Sequence, residues 1–187
     1  MERPFLYFDL GSPYAYLAVE RAGRVLGIAP ELRPVLLGAI FKWRGWGSWA
    51  QTEERDERVA DIERRAASYG LPPLVWPVAW PMNGLTAMRA TTWAAREGAI
   101  GPFARAVFRH QFAAGEDVSG LDALAAIGEE VGLDPAALRA AVARDDVKDE
   151  LRSATEAAWE AGVRGIPTLA SRGRLFYGDD RLECAAA

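Results

Sequence analysis

Ser12 is the side chain with the most favourable surroundings for chemistry, because it lies between a strand pattern and a helix pattern. Residues 4–9 are apolar and rich in aromatic side chains, which predicts a short buried strand. Gly11 interrupts that run, and Ser12 and Pro13 are typical of the N-cap and first residue of a helix. The free N–H groups and the positive dipole end of such a helix favour an anion beside Ser12. The alternative is that Ser12 only caps the helix.

The cysteine and histidine content narrows the chemistry. Cys184 is the single cysteine and His110 the single histidine among 187 residues. An intrachain disulfide therefore cannot form, a histidine-based metal site is not expected, and a reducing cytoplasm is the simplest location. A Ser-His-Asp triad would have to use His110, which lies in an amphipathic helix pattern, and the sequence has no G-x-S-x-G motif.

The composition is that of an ordinary globular protein, with 50% hydrophobic and 26% charged residues and a formal net charge of −4. Lys and Arg alternate with Asp and Glu along the chain, so no nucleic-acid footprint is expected. No apolar run approaches the roughly 20 residues that span a bilayer. The start, Met1-Glu2-Arg3-Pro4, lacks the pattern of a signal peptide. We expect neither a nucleic acid nor a membrane as a partner.

Strand patterns occur at the two ends of the chain. After the first strand, a helix is predicted to run from Pro13 to Leu26 and a second strand over 31–37, which implies a parallel pair. Near the other end, residues 165–170 and 174–177 predict a hairpin with its turn at 171–173. A last short helix is predicted to begin at Gly178.

The middle of the chain has helix patterns and no strand pattern. A charged helix is predicted over 53–69, followed by a proline-rich loop over 71–81. A capping-box variant is predicted at 119–122, and Asp134-Pro135 is a typical helix start. The other helices of this block are predicted over residues 84–97, 102–114, 119–131, 135–144 and 146–161.

This order predicts an α/β protein, namely a thioredoxin-like fold with a large all-helical insertion between its β-α-β and β-β-α halves. The thioredoxin-like domain would be discontinuous and would consist of residues 1–41 and 162–187. The helical insertion domain would consist of residues 42–161.

Three segments carry a family resemblance when they are taken in order: Phe8–Leu17, Pro34–Lys42, and Gly165–Thr168 followed by Phe176–Leu182. A shorter match is the tetrapeptide at 80–83. Together they resemble the 2-hydroxychromene-2-carboxylate isomerase family, which is related to kappa-class glutathione transferases and more distantly to DsbA-type oxidoreductases. The resemblance spans nearly the whole chain.

The resemblance implies a glutathione-dependent isomerase that acts on a small aromatic carboxylate during the degradation of aromatic compounds. In redox relatives the position of Ser12 holds a cysteine thiolate. Here the anion would be the thiolate of glutathione, which Ser12 would stabilise by a hydrogen bond without itself attacking the substrate. Relatives are commonly dimers, so a homodimer is expected.

The resemblance also implies where glutathione binds. Pro167 would follow a cis peptide bond, and Ile166 would present its N–H and C=O to the cysteinyl backbone of glutathione, like an added strand. Asp179, Asp180 and Arg181 would hold the γ-glutamyl end, which carries an ammonium and a carboxylate. The alternatives are an ordinary trans proline, and acidic residues at a helix start beside a surface arginine.

Binding of the second substrate is assigned through the same resemblance, and its candidate residues are Lys42, Trp80, Asn83 and Tyr14. Lys42 would meet the substrate carboxylate, or would extend along a helix surface into water. The family often has Gly-Asn where this chain has Gly45-Trp46, which leaves the substrate open. Trp43, Trp46 and Trp49 recur every three residues and would either pack between domains or line an aromatic cleft.

Two other functions remain open from the sequence. One is a kappa-class-like transferase that conjugates glutathione to an electrophile, since it would use the same glutathione site. The other is a non-catalytic thioredoxin-fold binding module. A disulfide oxidoreductase is disfavoured, because the chain has no Cys-x-x-Cys motif.

Overall fold

A computed structural model describes residues 3–186 and shows one four-stranded mixed sheet. The strands are β1 (Phe5–Phe8), β2 (Glu31–Pro34), β3 (Thr168–Ser171) and β4 (Arg174–Tyr177). Their order across the sheet is β2-β1-β3-β4, with β1 and β2 parallel and β3 antiparallel to both β1 and β4. The predicted parallel β-α-β unit and the C-terminal hairpin are therefore confirmed.

The helix over Leu37–Arg44 was not predicted, and the other helices follow the predicted order. Two single 3₁₀ turns, at Trp49–Gln51 and Asp179–Arg181, interrupt the connections. The helices are α1 (Pro13–Leu26), α2 (Leu37–Arg44), α3 (Arg55–Ser68), α4 (Leu85–Arg96), α5 (Ile100–Phe112), α6 (Leu121–Glu130), α7 (Pro135–Ala143), α8 (Asp145–Glu160) and α9 (Leu182–Ala186).

Three local predictions differ from the structure. The second strand ends at Pro34 rather than at residue 37, because proline has no N–H for the sheet and α2 begins at Leu37. The capping box at 119–122 is wrong: α6 begins after Gly120 without a side-chain cap. The last helix begins later than Gly178, because residues 179–181 form a 3₁₀ turn.

Other helix ends are as predicted. Ser12 caps α1, and Gly27 ends that helix with a φ of 69°, in the left-handed region that glycine tolerates. Asp134 caps α7 by accepting a hydrogen bond from the Ala137 N–H at 2.6 Å.

An aromatic core joins the sheet to the helical block. The rings of Phe8 on β1 and Phe108 on α5 lie 6.2 Å apart, and Tyr16 on α1 lies 5.7 Å from Phe112. Such pairs add about 0.5–1.5 kcal/mol each beyond burial. One cluster of buried side chains includes residues of both predicted domains. The division at residues 41 and 162 stays a prediction, and its outer limits at 1 and 187 lie outside the described residues.

None of the helices within residues 3–186 is both long enough and apolar enough to cross a membrane.

Candidate functional site

Ser12 is buried at the start of α1 and lines a cavity. The Oγ accepts a hydrogen bond from the Ala15 N–H at 3.2 Å, and the Ser12 N–H donates to the Asp9 carbonyl at 3.1 Å. Accepting this bond leaves the hydroxyl hydrogen able to donate. Within residues 3–186, no hydrogen bond uses the Tyr14 N–H. Two donors and the positive end of the helix dipole therefore meet at this point.

A cavity of about 310 Å³ lies beside Ser12, and we call it the Ser12 cavity. Five of its lining residues are aromatic, and its charged residues are the ion pair Glu54–Arg58, joined at 2.9 Å. Flat rings around a buried hydroxyl suit a planar ligand. The aromatic residues of the wall are Tyr14, Phe41, Trp46, Trp49 and Tyr177.

Ile166 and Pro167 lie in the segment that leads into β3. The Ile166-Pro167 peptide bond is cis, as predicted, and Ile166 also lines the Ser12 cavity. The Pro167 carbonyl accepts a hydrogen bond from the Gly178 N–H at 2.9 Å. Within the described chain, no backbone hydrogen bond uses the N–H or C=O of Ile166. This peptide edge is therefore available to a ligand.

Asp179 lies in a buried polar cluster between α3 and the C-terminal turn. Its carboxylate accepts hydrogen bonds from the Arg65 guanidinium at 3.1 Å and from the Tyr69 hydroxyl at 2.9 Å. The Asp179 carbonyl accepts a bond from Arg21, which lies 3.3 Å from the centre of the Tyr69 ring and also pairs with Glu183. Burial raises the pKa of the Asp179 carboxyl, against the opposing effects of Tyr69 and Arg65.

Asp180 and Arg181 are exposed, on the turn that Asp179 anchors. The Asp180 carboxylate lies 3.9 Å from the Arg65 guanidinium. It also folds over Gly178, where an added Cβ would lie 2.5 Å from Asp180 Oδ1 and where φ is 111°. Only glycine fits this position without strain, because both the space and the backbone conformation exclude a side chain. Since Gly178 bonds to Pro167, the turn and the Ile166 segment are held together.

The candidates for the second substrate are not all in one place. Tyr14 lines the Ser12 cavity, and burial raises the pKa of its hydroxyl. Trp80 is buried behind that cavity, where its ring lies 5.5 Å from the ring of Trp49. Lys42 is exposed and lines neither the Ser12 cavity nor the neighbouring cavity. Asn83 lines the neighbouring cavity.

That neighbouring cavity, of about 590 Å³, lies between the β1–α1 loop and the starts of α2 and α4. We call it the Asp9 cavity, because the Asp9 carboxyl lies in its wall. It shares Leu37 and Phe41 with the Ser12 cavity. Burial raises the pKa of the Asp9 carboxyl, and the N–H groups of Leu37 and Gly11 oppose that shift.

The three tryptophans at positions 43, 46 and 49 divide between the two predicted roles, which are packing between domains and lining an aromatic cleft. Trp46 and Trp49 line the Ser12 cavity, and the Arg44 guanidinium lies 3.1 Å from the centre of the Trp46 ring. Trp43 instead packs on Trp159 of α8, with ring centres 5.4 Å apart. One of the three indoles therefore joins α2 to α8, and the other two line the Ser12 cavity.

Sequence reasoning did not single out Arg58 or Asp9 as site residues. Arg58 lies on the charged face of α3, where an i,i+4 pair gives no sign that the helix borders a cavity. Asp9 follows the first strand, and its position before Gly11 is the only feature of the sequence that could have indicated a role in the site. His110 binds Glu116 at 2.7 Å and Glu130 at 3.1 Å, and it lines neither cavity. Those contacts raise its pKa.

Comparison with known proteins agrees with this architecture. The family model described as a DSBA-like thioredoxin domain matches residues 5–187. The chain is 30% identical over 183 residues to a 2-hydroxychromene-2-carboxylate isomerase of Sphingobium xenophagum, covering 95% of this chain and 92% of that protein. It is 25% identical over 198 residues to glutathione S-transferase kappa 1 of Homo sapiens, covering 97% and 88%.

Solved structures show the same fold. A 2-hydroxychromene-2-carboxylate isomerase has a TM-score of 0.87 at 24% identity, covering 97% of this chain and 91% of that one. The cytosolic disulfide reductase DsbM from Pseudomonas aeruginosa with GSH has a TM-score of 0.65 at 16% identity, covering 97% and 93%. The predicted thioredoxin-like fold and the family resemblance are confirmed.

The Tyr69 hydroxyl gives a test of the Asp179 cluster. Tyr69→Phe keeps the ring under Arg21 but removes the donor to Asp179, so we expect a loss of about 1 kcal/mol in the free energy of unfolding. The pKa of Tyr69 is raised from 10 to about 12, mainly by burial and then by the Asp179 charge. Because the folded state holds the Tyr69 proton more tightly than the unfolded state, this proton stabilises the folded protein below pH 10. The stabilisation is lost as the pH rises from 10 through about 12.

Urea unfolding of both proteins across this pH range measures the effect. The control is Tyr177→Phe, because Tyr177 is 58% exposed and its hydroxyl makes no hydrogen bond within residues 3–186. If both variants lose the same stability, the Tyr69–Asp179 bond does not stabilise the turn.

Proposed function

We propose that this chain, which belongs to the DSBA-like thioredoxin domain family, is a glutathione-dependent isomerase of the 2-hydroxychromene-2-carboxylate type. The observation that carries the proposal is the Ser12 hydroxyl, buried at the start of α1 and facing an aromatic cavity. The single cysteine, Cys184, is exposed on α9 and does not line the Ser12 cavity. A thiolate at Ser12 must therefore be supplied by another molecule.

In this proposal, glutathione lies along the Ser12 cavity with its sulfur at the start of α1. The Ser12 hydroxyl and the Tyr14 N–H donate to the thiolate, and the helix dipole lowers its pKa. Ile166 pairs with the cysteinyl backbone through its available N–H and C=O. These contacts fix both the charge and the direction of the nucleophile.

The charged ends of glutathione have candidate partners in the wall of the Ser12 cavity and on the turn at 179–181, which does not itself line that cavity. Asp180 and Arg181 offer opposite charges to the γ-glutamyl ammonium and carboxylate. Asp179 holds their turn in place, because both of its carboxylate oxygens accept hydrogen bonds from α3. Arg58 is the cation in the wall of the Ser12 cavity and suits the carboxylate at the other end.

The reaction would be a reversible addition. The chromene ring opens to an unsaturated ketone, and the glutathione thiolate adds to the carbon β to that carbonyl, which takes up the electron pair of the C=C bond as an enolate. Rotation then occurs about the resulting single bond. Elimination then forms the double bond again and returns glutathione. The protein contributes a stabilised thiolate, fixed orientation and an aromatic cavity that excludes water.

A second candidate is a transferase that conjugates glutathione to an electrophile. It is favoured by the 25% identity to glutathione S-transferase kappa 1 over 97% of this chain. Both reactions would use the same thiolate site. They differ in whether elimination follows the addition.

We also propose a homodimer in a reducing cytoplasm. The exposed Cys184 and the similarity to DsbM, described as a cytosolic disulfide reductase, support this location. The exposed indoles of Trp43 and Trp46 are candidates for a contact between subunits.

Glutathione consumption distinguishes the two reactions. We expect that glutathione mixed with the enzyme and 2-hydroxychromene-2-carboxylate is fully recovered as the free thiol while the substrate is converted to its isomer. Loss of thiol in proportion to product would support the transferase instead. Calorimetry without the second substrate completes the test, because no detectable glutathione binding would leave only a non-catalytic module.

Ser12→Ala tests the role of the hydroxyl. We expect kcat to fall about a hundredfold, as it does when one donor to a reacting anion is removed, while the Kd for glutathione changes little. The change also removes an N-cap, which costs about 1 kcal/mol of stability. Asp134→Ala removes the cap of α7 and controls for that loss. Equal losses of kcat and of glutathione affinity would instead make Ser12 an anchor for the ligand.

A further inference from the structure

The Asp9 cavity adjoins the proposed thiolate site and has a simple electrostatic character. Asp9 is the only charged residue among the described residues that line it, and the other polar side chains are neutral. Leu37 and Phe41 form the wall that separates it from the Ser12 cavity. A molecule in the Asp9 cavity would therefore meet glutathione at the edge of that wall.

The Asp9 carboxylate is held rigidly but keeps some bonding capacity. Oδ1 accepts from the Gly11 N–H at 2.7 Å, and Oδ2 accepts from the Leu37 N–H at 2.8 Å. The side chain is nearly buried, since Asp9 is only 7% exposed. Because a carboxylate has about four lone-pair positions, each oxygen can accept one further bond from the cavity.

Gly84 leaves space in front of this carboxylate. It is the N-cap of α4 and lines the cavity, and an added Cβ would lie 3.6 Å from Asp9 Oδ1 and 3.9 Å from the Gly11 nitrogen. A larger residue would occupy the position from which a ligand atom could approach Asp9. The cavity is thus open at its one charged group.

We propose that the Asp9 cavity binds the molecule to which glutathione adds, as a planar ring that bears a hydroxyl group, and that Asp9 is a catalytic proton acceptor and donor for ring opening. This inference rests on the proposed isomerase function. A hydroxyl donates to the carboxylate, whereas a ligand carboxylate finds no cation among the described residues of this wall. The ring hydroxyl therefore faces Asp9, and the substrate carboxylate faces away from it.

The proton transfer is balanced and needs no other reactant. In a 2-hydroxychromene, the hydroxyl oxygen and the ring oxygen are attached to the same carbon. Asp9 takes the hydroxyl proton, the O–H electrons form a C=O bond, and the ring C–O bond breaks with its electrons on the ring oxygen. Asp9 then gives the proton to the resulting phenolate, which leaves the carboxylate as it began.

Burial favours this role. A buried carboxyl accepts a proton more readily than an exposed one, and the pKa of Asp9 is raised accordingly. The other groups that face its oxygens are the backbone N–H groups of Gly11 and Leu37. They hold the carboxylate in place while a proton arrives and leaves.

Asp9→Asn is the first variant of the test, with Asp134→Asn as its matched control. Both aspartates accept backbone N–H bonds, Asp9 with both oxygens and Asp134 with one, but Asp134 lines neither cavity. For conversion of 2-hydroxychromene-2-carboxylate, we expect Asp9→Asn to lower kcat about a hundredfold. Asparagine keeps only one of the two N–H acceptors, so the Kd for glutathione is measured as well, and we expect it to change far less than kcat. With an open-chain analogue whose phenol is methylated, no ring opening is needed, so we expect its isomerisation to persist. Loss of both activities would make Asp9 only structural and would overturn the proposal.

Gly84→Ala is the second variant, because it disturbs none of the bonds of Asp9. Its φ of −77° accepts alanine, and Gly120→Ala makes the same change at the N-cap of α6, where an added Cβ meets nothing within 4 Å. We expect Gly84→Ala to raise KM for the chromene about tenfold and Gly120→Ala to leave it unchanged.

The outcomes separate this inference from the function on which it rests. If the unaltered enzyme binds glutathione and converts the chromene, but Asp9→Asn and Gly84→Ala behave like their controls, the Asp9 inference is overturned and the isomerase stands. If the unaltered enzyme shows no glutathione binding, both are overturned.

Discussion

The two hydrogen bonds from backbone N–H groups to the Asp9 carboxylate hold the central part of the molecule together. One comes from Gly11, in the loop that places Ser12 at the start of α1, and the other from Leu37, at the start of α2. The first bond fixes the hydroxyl, and the second fixes the wall shared by the two cavities. A single buried carboxylate therefore sets the position of both proposed binding sites relative to the sheet.

A second polar cluster holds the C-terminal turn beside the segment of Ile166 and Pro167. Arg65 and Tyr69 on α3 bind Asp179, and the turn that follows carries Asp180 and Arg181. Gly178 links this turn to Pro167, next to the available peptide edge of Ile166. The two adjacent aspartates thus differ in kind: one is buried and holds the turn, and the other is exposed and open to a ligand.

Features set by a few neighbouring residues could be predicted from the sequence, whereas contacts between residues far apart in the chain could not. The Ser12-Pro13 helix start and the order of the strands follow from short patterns, and the family resemblance implies the cis bond before Pro167. The structure confirms all three. The position of Lys42 outside both cavities depends on the orientation of α2, which no local pattern specifies. Arg58 and Asp9 reach the cavities only because separate elements pack together, so their spacing in the sequence carries no signal.

The central claim is that the start of α1 and Ser12 stabilise a thiolate that glutathione supplies. The most direct measurement is the pKa of the glutathione thiol in the complex, from the ultraviolet absorbance of the thiolate as the pH is raised. A free cysteine thiol has a pKa of about 8.5, and values at helix N-termini are lower by about one unit or more. We expect the bound thiol to titrate below its value in free glutathione. A bound thiol that titrates at the free value would contradict the account.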